Sequence, residues 1–389
     1  MGERCKDAWR KNPVPLHRLS PGGGQYFFGY YDLFATSGNM HLCHRLPFID
    51  RLHRAGDRAQ LGTLPLTGGE FTPFDDTAAW CFQQGAMMQF VPGLPDTVLY
   101  NVEHKDGYGA RMRNLRTGAA REYGRPVSAL SPDGTFFLSV NMARLYDFRP
   151  GYGYAGIPDP YGSEAAPRTD GVWRVDMGTG RETLLVTLAT LQKLAGDYFV
   201  AGEKLCINHI TVAPGGRRYV MLLRNMEKRP WRTLVLTADC GGAGEPFVIL
   251  DDTYASHYWW QDTDRLLFHC RVAGQNDMYT LHDGTRRAEA WDPGYFAFDG
   301  HMRTAPGGKW LSYDSYPDAE GKRRLLVYDT VSGTGFELAR LHGHNPDPAD
   351  IRCDLHPRWS HDGAWLTFDS VHEGFRGVYA VSVADLPGA

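Results

Sequence analysis

Short apolar runs separated by tight polar turns recur along the whole chain. Ser131-Pro132-Asp133-Gly134, Pro214-Gly215-Gly216, Pro306-Gly307-Gly308 and His361-Asp362-Gly363 each precede such a run: TFFLSVN, RRYVMLLRN, KWLSYDS and AWLTFDS. Glycine supplies positive φ and Pro or Asp starts the bend, so each run reads as a β-strand leaving a turn. Another strand and a polar hairpin follow in GVWRVDMGTGRETLL, RTLVLTADCGG, LLVYDTVSGTGFELA and GVYAVSVADL. Weaker copies begin at YYDLFATSGNMHLCHRL, MMQFVPGLPDTVLYNVEHKDG and HYWWQDTDRLLFHCRV, which makes seven modules of about four strands each.

One four-stranded sheet of this kind cannot bury both of its faces, whereas radial packing of such sheets can. The pattern therefore predicts an all-β chain, a seven-bladed β-propeller with four-stranded blades forming a single domain over residues 1–389. Residues 12–20 (NPVPLHRLS) are expected to pair with the last blade and latch the ring. Only residues 188–196 read as briefly helical. The longest insertion between second and third strands, residues 142–170, is rich in Tyr, Arg, Gly and Pro and is expected to lie as a loop over the channel mouth.

Against that frame four histidines stand out. His209, His257, His301 and His356 each lie five residues before a turn position, at spacings of 48, 44 and 55 residues. Equivalent positions in successive blades point the same way, so these imidazoles are expected to converge. His257, His301 and His356 begin consecutive blades and form a candidate site for a divalent metal ion, manganese, calcium or zinc, with Asp354 and Cys353 near enough to assist. The competing reading is that strand-start histidines cap backbone or bind water. His209, with Arg224 at the far end of the same hairpin, suits a general base, because a fixed cation keeps an imidazole neutral and draws an anionic substrate.

Arg144, Tyr146, Arg149, Tyr152 and Tyr154 form a patch suited to a sugar carboxylate, Arg offering a fork and Tyr a stacking face. The same tyrosines would also serve to pin a long loop. Tyr30, Tyr31 and Asp32 from blade one, Gln84 beside Gln83 in blade two, and His372-Glu373-Gly374 in blade seven are expected near the same face.

Composition narrows the function. A formal net charge of −4 and no basic run argue against a nucleic-acid partner. No stretch of about 18 apolar residues is present to span a membrane as a helix. The first residues, MGERCKDAWRKNPVPLHRL, have no apolar core of a signal peptide. Seven cysteines are scattered without a CxxC pair, which predicts reduced thiols and a cytoplasmic location, or a periplasmic one if a leader has been trimmed. GxSxG, Walker, GxGxxG-plus-acid and HExxH motifs are missing, so no organic cofactor is expected and serine hydrolases, NTPases and dehydrogenases are disfavoured.

NHITVAPGG, SHYWW, DGHMRTAPGGKW and CDLHPRWSHDGAWLTFDSVHEGFRGVYAV resemble the oligogalacturonate lyase group of propeller polysaccharide lyases and the related ulvan-lyase-like propellers, which share TolB-like turns. FFGYYD, QQGAMMQF and ARLYDFRPGYGYAGIPD are similar to other bacterial propellers of that broad superfamily. The resemblance implies β-elimination on an acidic oligosaccharide, with a manganese ion held by histidines and a glutamine, and another histidine as base. Carried over, His209 matches the base, while His257 and His356 match metal ligands; His301 is in register without a counterpart. Where the family has a glutamine–histidine pair, this chain has Ile351-Arg352-Cys353-Asp354. The ulvan-lyase-like scheme would use His209, Arg224 and a loop tyrosine, Tyr146. The alternatives are a non-catalytic TolB-like propeller that binds glycan or protein, and a propeller glycoside hydrolase using two of Asp32, Asp354 and Glu373.

Overall fold

In the computed structural model, which describes residues 8–105, 107–226, 231–252 and 254–388, the strands pair with their chain neighbours into seven antiparallel sheets arranged as a β-propeller. Blade one comprises Gln25–Phe27, Met40–Leu46, Ala59–Pro65 and Thr72–Thr77, with Thr36–Ser37 beside its second strand. Blade two runs from Gln89–Phe90 to Ala120–Tyr123, blade three from Ala129–Leu130 to Glu182–Thr187, and blade four from Leu205–Val212 to Phe247–Leu250. Blade five runs from Ala255–Trp260 to Ala288–Ala290 and blade six from Met302–Thr304 to Thr334–His342. Blade seven has Arg358–Trp359, Trp365–Ser370 and Gly377–Ser382, and its outer strand, His17–Arg18, comes from the other end of the chain. Arg10–Lys11 adds a parallel fifth strand to blade six.

Chain contacts divide the molecule into two compact units. One holds the chain through Phe90, His257–Trp259 and the chain from Asp292; the other holds Val91–Ser256 and Trp260–Trp291. Within each, sheets pack face to face. In the second unit Phe136, Leu138, Met221, Leu223, Leu234 and Leu236 share a core, and in the first Trp310, Leu325, Val327, Leu366 and Phe368 do so. A strand sandwiched this way is buried on both faces, which is why Tyr219–Asn225 is apolar and buried almost throughout instead of alternating. Outer strands such as Thr72–Thr77 are largely exposed and polar. The turns close as their composition dictates: Ser131 Oγ accepts from Thr135 N at 3.1 Å, and Gly134 adopts φ +68°.

A polar residue in the second strand repeatedly clamps the start of the next blade. Asn101 accepts from Val127 N at 2.6 Å and donates to Val127 O at 2.9 Å. Asp314 accepts from His356 N at 3.1 Å, and Asp369 accepts from Phe28 N at 3.1 Å and Gly29 N at 3.2 Å. Short first strands have few ladder bonds, so these side chains satisfy backbone donors that would otherwise be buried unpaired.

Leu188–Ala195 is helical, capped by Thr187. The expected loop over residues 142–170 instead begins with an α-helix, Met142–Phe148, whose N-cap Asn141 accepts from Arg144 N at 2.9 Å. An Asn followed by good helix formers nucleates that turn.

Candidate metal centre

His257 lies in the strand Ala255–Trp260, His301 immediately precedes Met302–Thr304, and His356 lies two residues before Arg358–Trp359. Their rings lie in a row, with centroids 4.1 Å apart between His257 and His301, which are tilted to each other, and 4.2 Å between His301 and His356, which meet edge to face. All three are buried.

Carboxylates orient two of the rings. His257 Nδ1 lies 2.9 Å from Asp299 Oδ1, and His301 Nδ1 lies 2.9 Å from both oxygens of Asp314. An ionised carboxylate only accepts, so each imidazole carries its proton on Nδ1 and its lone pair on Nε2. His356 is fixed through its backbone: Asp314 takes its N–H and Arg358 Nη1 donates to its carbonyl at 2.9 Å, holding it at φ +46°. That left-handed conformation is uncommon for a residue with a side chain and marks a position held by its surroundings.

His301, Asp354 and His356 each bring a ligand atom within 4.8 Å of the others. Among the described residues His301 Nε2 and both ring nitrogens of His356 are buried without a hydrogen-bond partner. Burial pushes the His257 imidazole down to about 4 against the pull of Asp299, and burial with His301 beside it pushes His356 well below its usual range. Burial would raise the Asp354 carboxyl, but Arg352 and Arg323 overcome it and hold it well below the carboxylate range. A neutral His356 imidazole, an ionised Asp354 carboxylate and the unpaired Nε2 of His301 are what a metal ion requires, so these side chains fit one. Asp354 takes the place in this trio that the sequence assigned to His257, whose ring lies tilted beside His301.

Six side chains expected to bind ligand are buried: Tyr30, Tyr31, Gln84, Tyr152, Tyr154 and Arg144. Tyr31 is 0% exposed, its hydroxyl donating to Tyr258 O at 2.9 Å and its ring 5.2 Å from His301, so it walls the histidine row. Tyr30 packs with its ring 5.0 Å from His356, and Gln84 is buried. Tyr152 is buried under the Arg149 guanidinium, which lies 4.0 Å from its ring centre.

Arg144 is the clearest correction. Its Nε donates to Leu205 O, Nη1 to Asp159 Oδ2 and Tyr161 O, and Nη2 to Glu164 O and Ala165 O. All five guanidinium N–H groups are spent within the protein, four on the insertion and one on the first strand of blade four, leaving none for a sugar carboxylate.

In blade four the ladder slips between Ile207 and Ile210, and this irregularity carries Asn208 and His209. Such bulges re-aim side chains. Arg224, opposite Cys206 in register, donates to Asn208 Oδ1 at 3.1 Å, Thr233 Oγ1 at 3.1 Å and Ala255 O at 2.9 Å. It therefore binds the residue before His209. Arg149 Nη1 reaches the same Asn208 oxygen at 3.4 Å, and Tyr146 is half-buried on its helix.

Glu373 is paired with Arg18 at 3.0 Å and accepts from Tyr379 Oη at 2.9 Å. Neither Glu373 nor Asp354 has the raised pKa that an acid catalyst of glycoside hydrolysis needs.

Asp314, Asp299 and Arg358 were not anticipated. A signal existed for the first: LSYDS and LTFDS end the second strands of blades six and seven alike, placing Asp314 and Asp369 at matching positions.

Compared with known proteins, the chain matches no protein-family model and no curated protein. Among solved structures it is similar to oligogalacturonate lyase from Vibrio parahaemolyticus, at 13% identity over 95% of this chain and 94% of that one, with a TM-score of 0.62. It is also similar to an oligogalacturonate lyase in complex with manganese, at 16% identity over 97% and 99% of the chains, with a TM-score of 0.64. The β-propeller domain of the Trilobed protease from Pyrococcus furiosus matches at 11% identity over 91% and 95%, with a TM-score of 0.51. At these identities the likeness is one of fold, and the fold is the seven-bladed β-propeller.

Proposed function

We propose that this propeller cleaves uronic-acid-containing oligosaccharides by β-elimination. The observation that carries the proposal is the buried group of His301, His356 and Asp354 beside His257, in a fold shared over 97% of the chain with an oligogalacturonate lyase in complex with manganese.

In the elimination, the proton α to the uronate carboxylate passes to a base. The electron pair left behind becomes a carbon–carbon double bond as the bond to the 4-linked sugar breaks, and the leaving oxygen is protonated. Two imidazoles and a carboxylate suit manganese or zinc better than calcium, which takes about six to eight oxygens. Held by His301, His356 and Asp354, such an ion would supply positive charge that acidifies the α-proton and stabilises the charge developing as it leaves. Asp314 keeps the lone pair of His301 on Nε2, and Arg323 and Arg352 keep Asp354 ionised. His209 is assigned as the proton acceptor, Arg224 as its cationic neighbour and Tyr146 as the donor to the leaving sugar; these roles follow from the family resemblance.

The test is incubation with oligomers of galacturonate, glucuronate and related uronates, following ultraviolet absorbance of the unsaturated product. Accumulation of that chromophore is the expected result. No turnover across the panel by folded, metal-loaded protein overturns the proposal and favours a binding propeller. Release of reducing ends without the chromophore overturns it in favour of hydrolysis.

A further inference from the structure

Arg323, on the strand Lys322–Asp329 of blade six, is 2% exposed. Among the described residues its hydrogen bonds run through Nη1, 2.8 Å from Asp354 Oδ1 and 3.4 Å from Ser315 O. Nε and Nη2 are buried with no hydrogen-bond partner among the described residues. The N–H bonds of Nε and Nη2 run parallel along one side of the guanidinium, and that side takes a carboxylate through two parallel bonds. Arg144 shows the contrast, since all its donors are spent within the protein. Arg376 leaves Nε and Nη1 unpaired, and those two nitrogens do not share a side.

Burying a charged group with its best binding edge unpaired is unfavourable unless a ligand completes it. Two further features make this edge a receptive one. Arg323 and Arg352 both pair with Asp354, so two cations face one carboxylate and positive charge is left over. Residue 343 is a glycine whose missing Cβ would lie 3.2 Å from Arg323 Nε, so a side chain there would crowd the edge. The Tyr316 ring, 5.8 Å from the Arg323 guanidinium, lies 6.1 Å from both His257 and His301, linking the edge to the histidine row.

We infer that the Nε–Nη2 edge of Arg323 is a carboxylate-binding subsite beside the histidine group. On the lyase reading, on which this assignment of the ligand rests, the group it takes is the uronate carboxylate. The subsite binds an acidic sugar and not its neutral counterpart.

The experiment is calorimetric titration of the full chain, metal-free and manganese-loaded, with galacturonate, glucuronate, galactose and acetate. The unmutated protein is expected to bind the uronates and not galactose. Arg323→Gln should weaken uronate binding about 10- to 100-fold, the loss of charged hydrogen bonds, with Arg323→Lys between. Gly343→Ala, which keeps the guanidinium, should also weaken it, and it decides the matter if Arg323→Gln does not fold. Acetate binding that is equally sensitive to Arg323 supports the edge with a free carboxylate as its ligand. Unchanged uronate affinity in folded Arg323→Gln or Gly343→Ala overturns the subsite, as does a protein that binds neither uronate nor acetate. Uronate binding through Arg323 without unsaturated product leaves the subsite standing and removes the lyase reading. Product formation with KM unchanged in Arg323→Gln does the reverse.

Discussion

The Asp314 carboxylate accepts the backbone N–H of His356 at 3.1 Å, across 42 residues of chain, and helps hold that histidine at φ +46°. The same carboxylate orients His301 through its ring and its backbone N–H, the latter at 2.7 Å. One acid in blade six thus sets two of the three proposed ligands.

A histidine kept in a left-handed conformation with both ring nitrogens unpaired sacrifices stability, by roughly 1–3 kcal/mol for the backbone alone. His356→Asn places there a residue that tolerates positive φ. It should leave thermal stability without metal within about 1 kcal/mol of the original, or higher, while abolishing metal-dependent stabilisation. Calorimetric scans with and without manganese check this; a retained metal shift would remove His356 from the ligand set.

Metal should stabilise the folded chain by mass action. At about a hundred times its dissociation constant, bound manganese or zinc adds roughly 2.7 kcal/mol, visible as a raised Tm. His301→Ala and Asp354→Asn should each remove that rise. A rise of equal size in both variants would place the ion elsewhere.

Arg144 should behave as a structural residue. Arg144→Met strips the buried Asp159 carboxylate of its cation and removes one donor from each of four backbone carbonyls, so a loss of roughly 3–5 kcal/mol is expected. Denaturant unfolding measures it, and limited proteolysis should cut within residues 150–168 first. Normal stability with loss of uronate binding alone would restore the role read from the sequence.

His41 and His44 set an acid limit on stability. Both are fully buried, His44 accepting from Ala86 N at 3.0 Å, and burial pushes each imidazole down to about 3 from an ordinary 6.5. Below pH 6.5 the unfolded chain takes up protons that the folded chain refuses. Stability is therefore fully present above that pH and is lost as pH falls toward about 3, by roughly 2 kcal/mol per histidine at pH 5. Denaturation midpoints measured from pH 7 to pH 4 should fall steadily; a flat profile would contradict the burial of these rings.

Turn chemistry made most of the architecture legible. Ser131-Pro132-Asp133-Gly134 and its counterparts mark where strands begin because turn residues act locally, and seven such modules have few ways to bury their sheets. The register of His257, His301 and His356 was readable for the same reason: blades repeat, and equivalent positions share a direction. Arg144 was misread because an arginine looks the same in sequence whether it faces a ligand or ties a loop to its own backbone. The helix Met142–Phe148 was missed because Tyr, Gly and Pro later in the segment masked a short capped turn.

The amino-acid order by itself determined the strands, their turns, the sevenfold repeat and the series of histidines, since each depends on residues near one another in the chain. Only the tertiary structure decided which donors are satisfied and which are left over. Whether Arg144 is spent and Arg323 is not, and whether Asp354 or His257 completes a trio with His301 and His356, depends on partners that folding gathers from loops and neighbouring blades, and hydrogen-bond geometry between them carries no local signature.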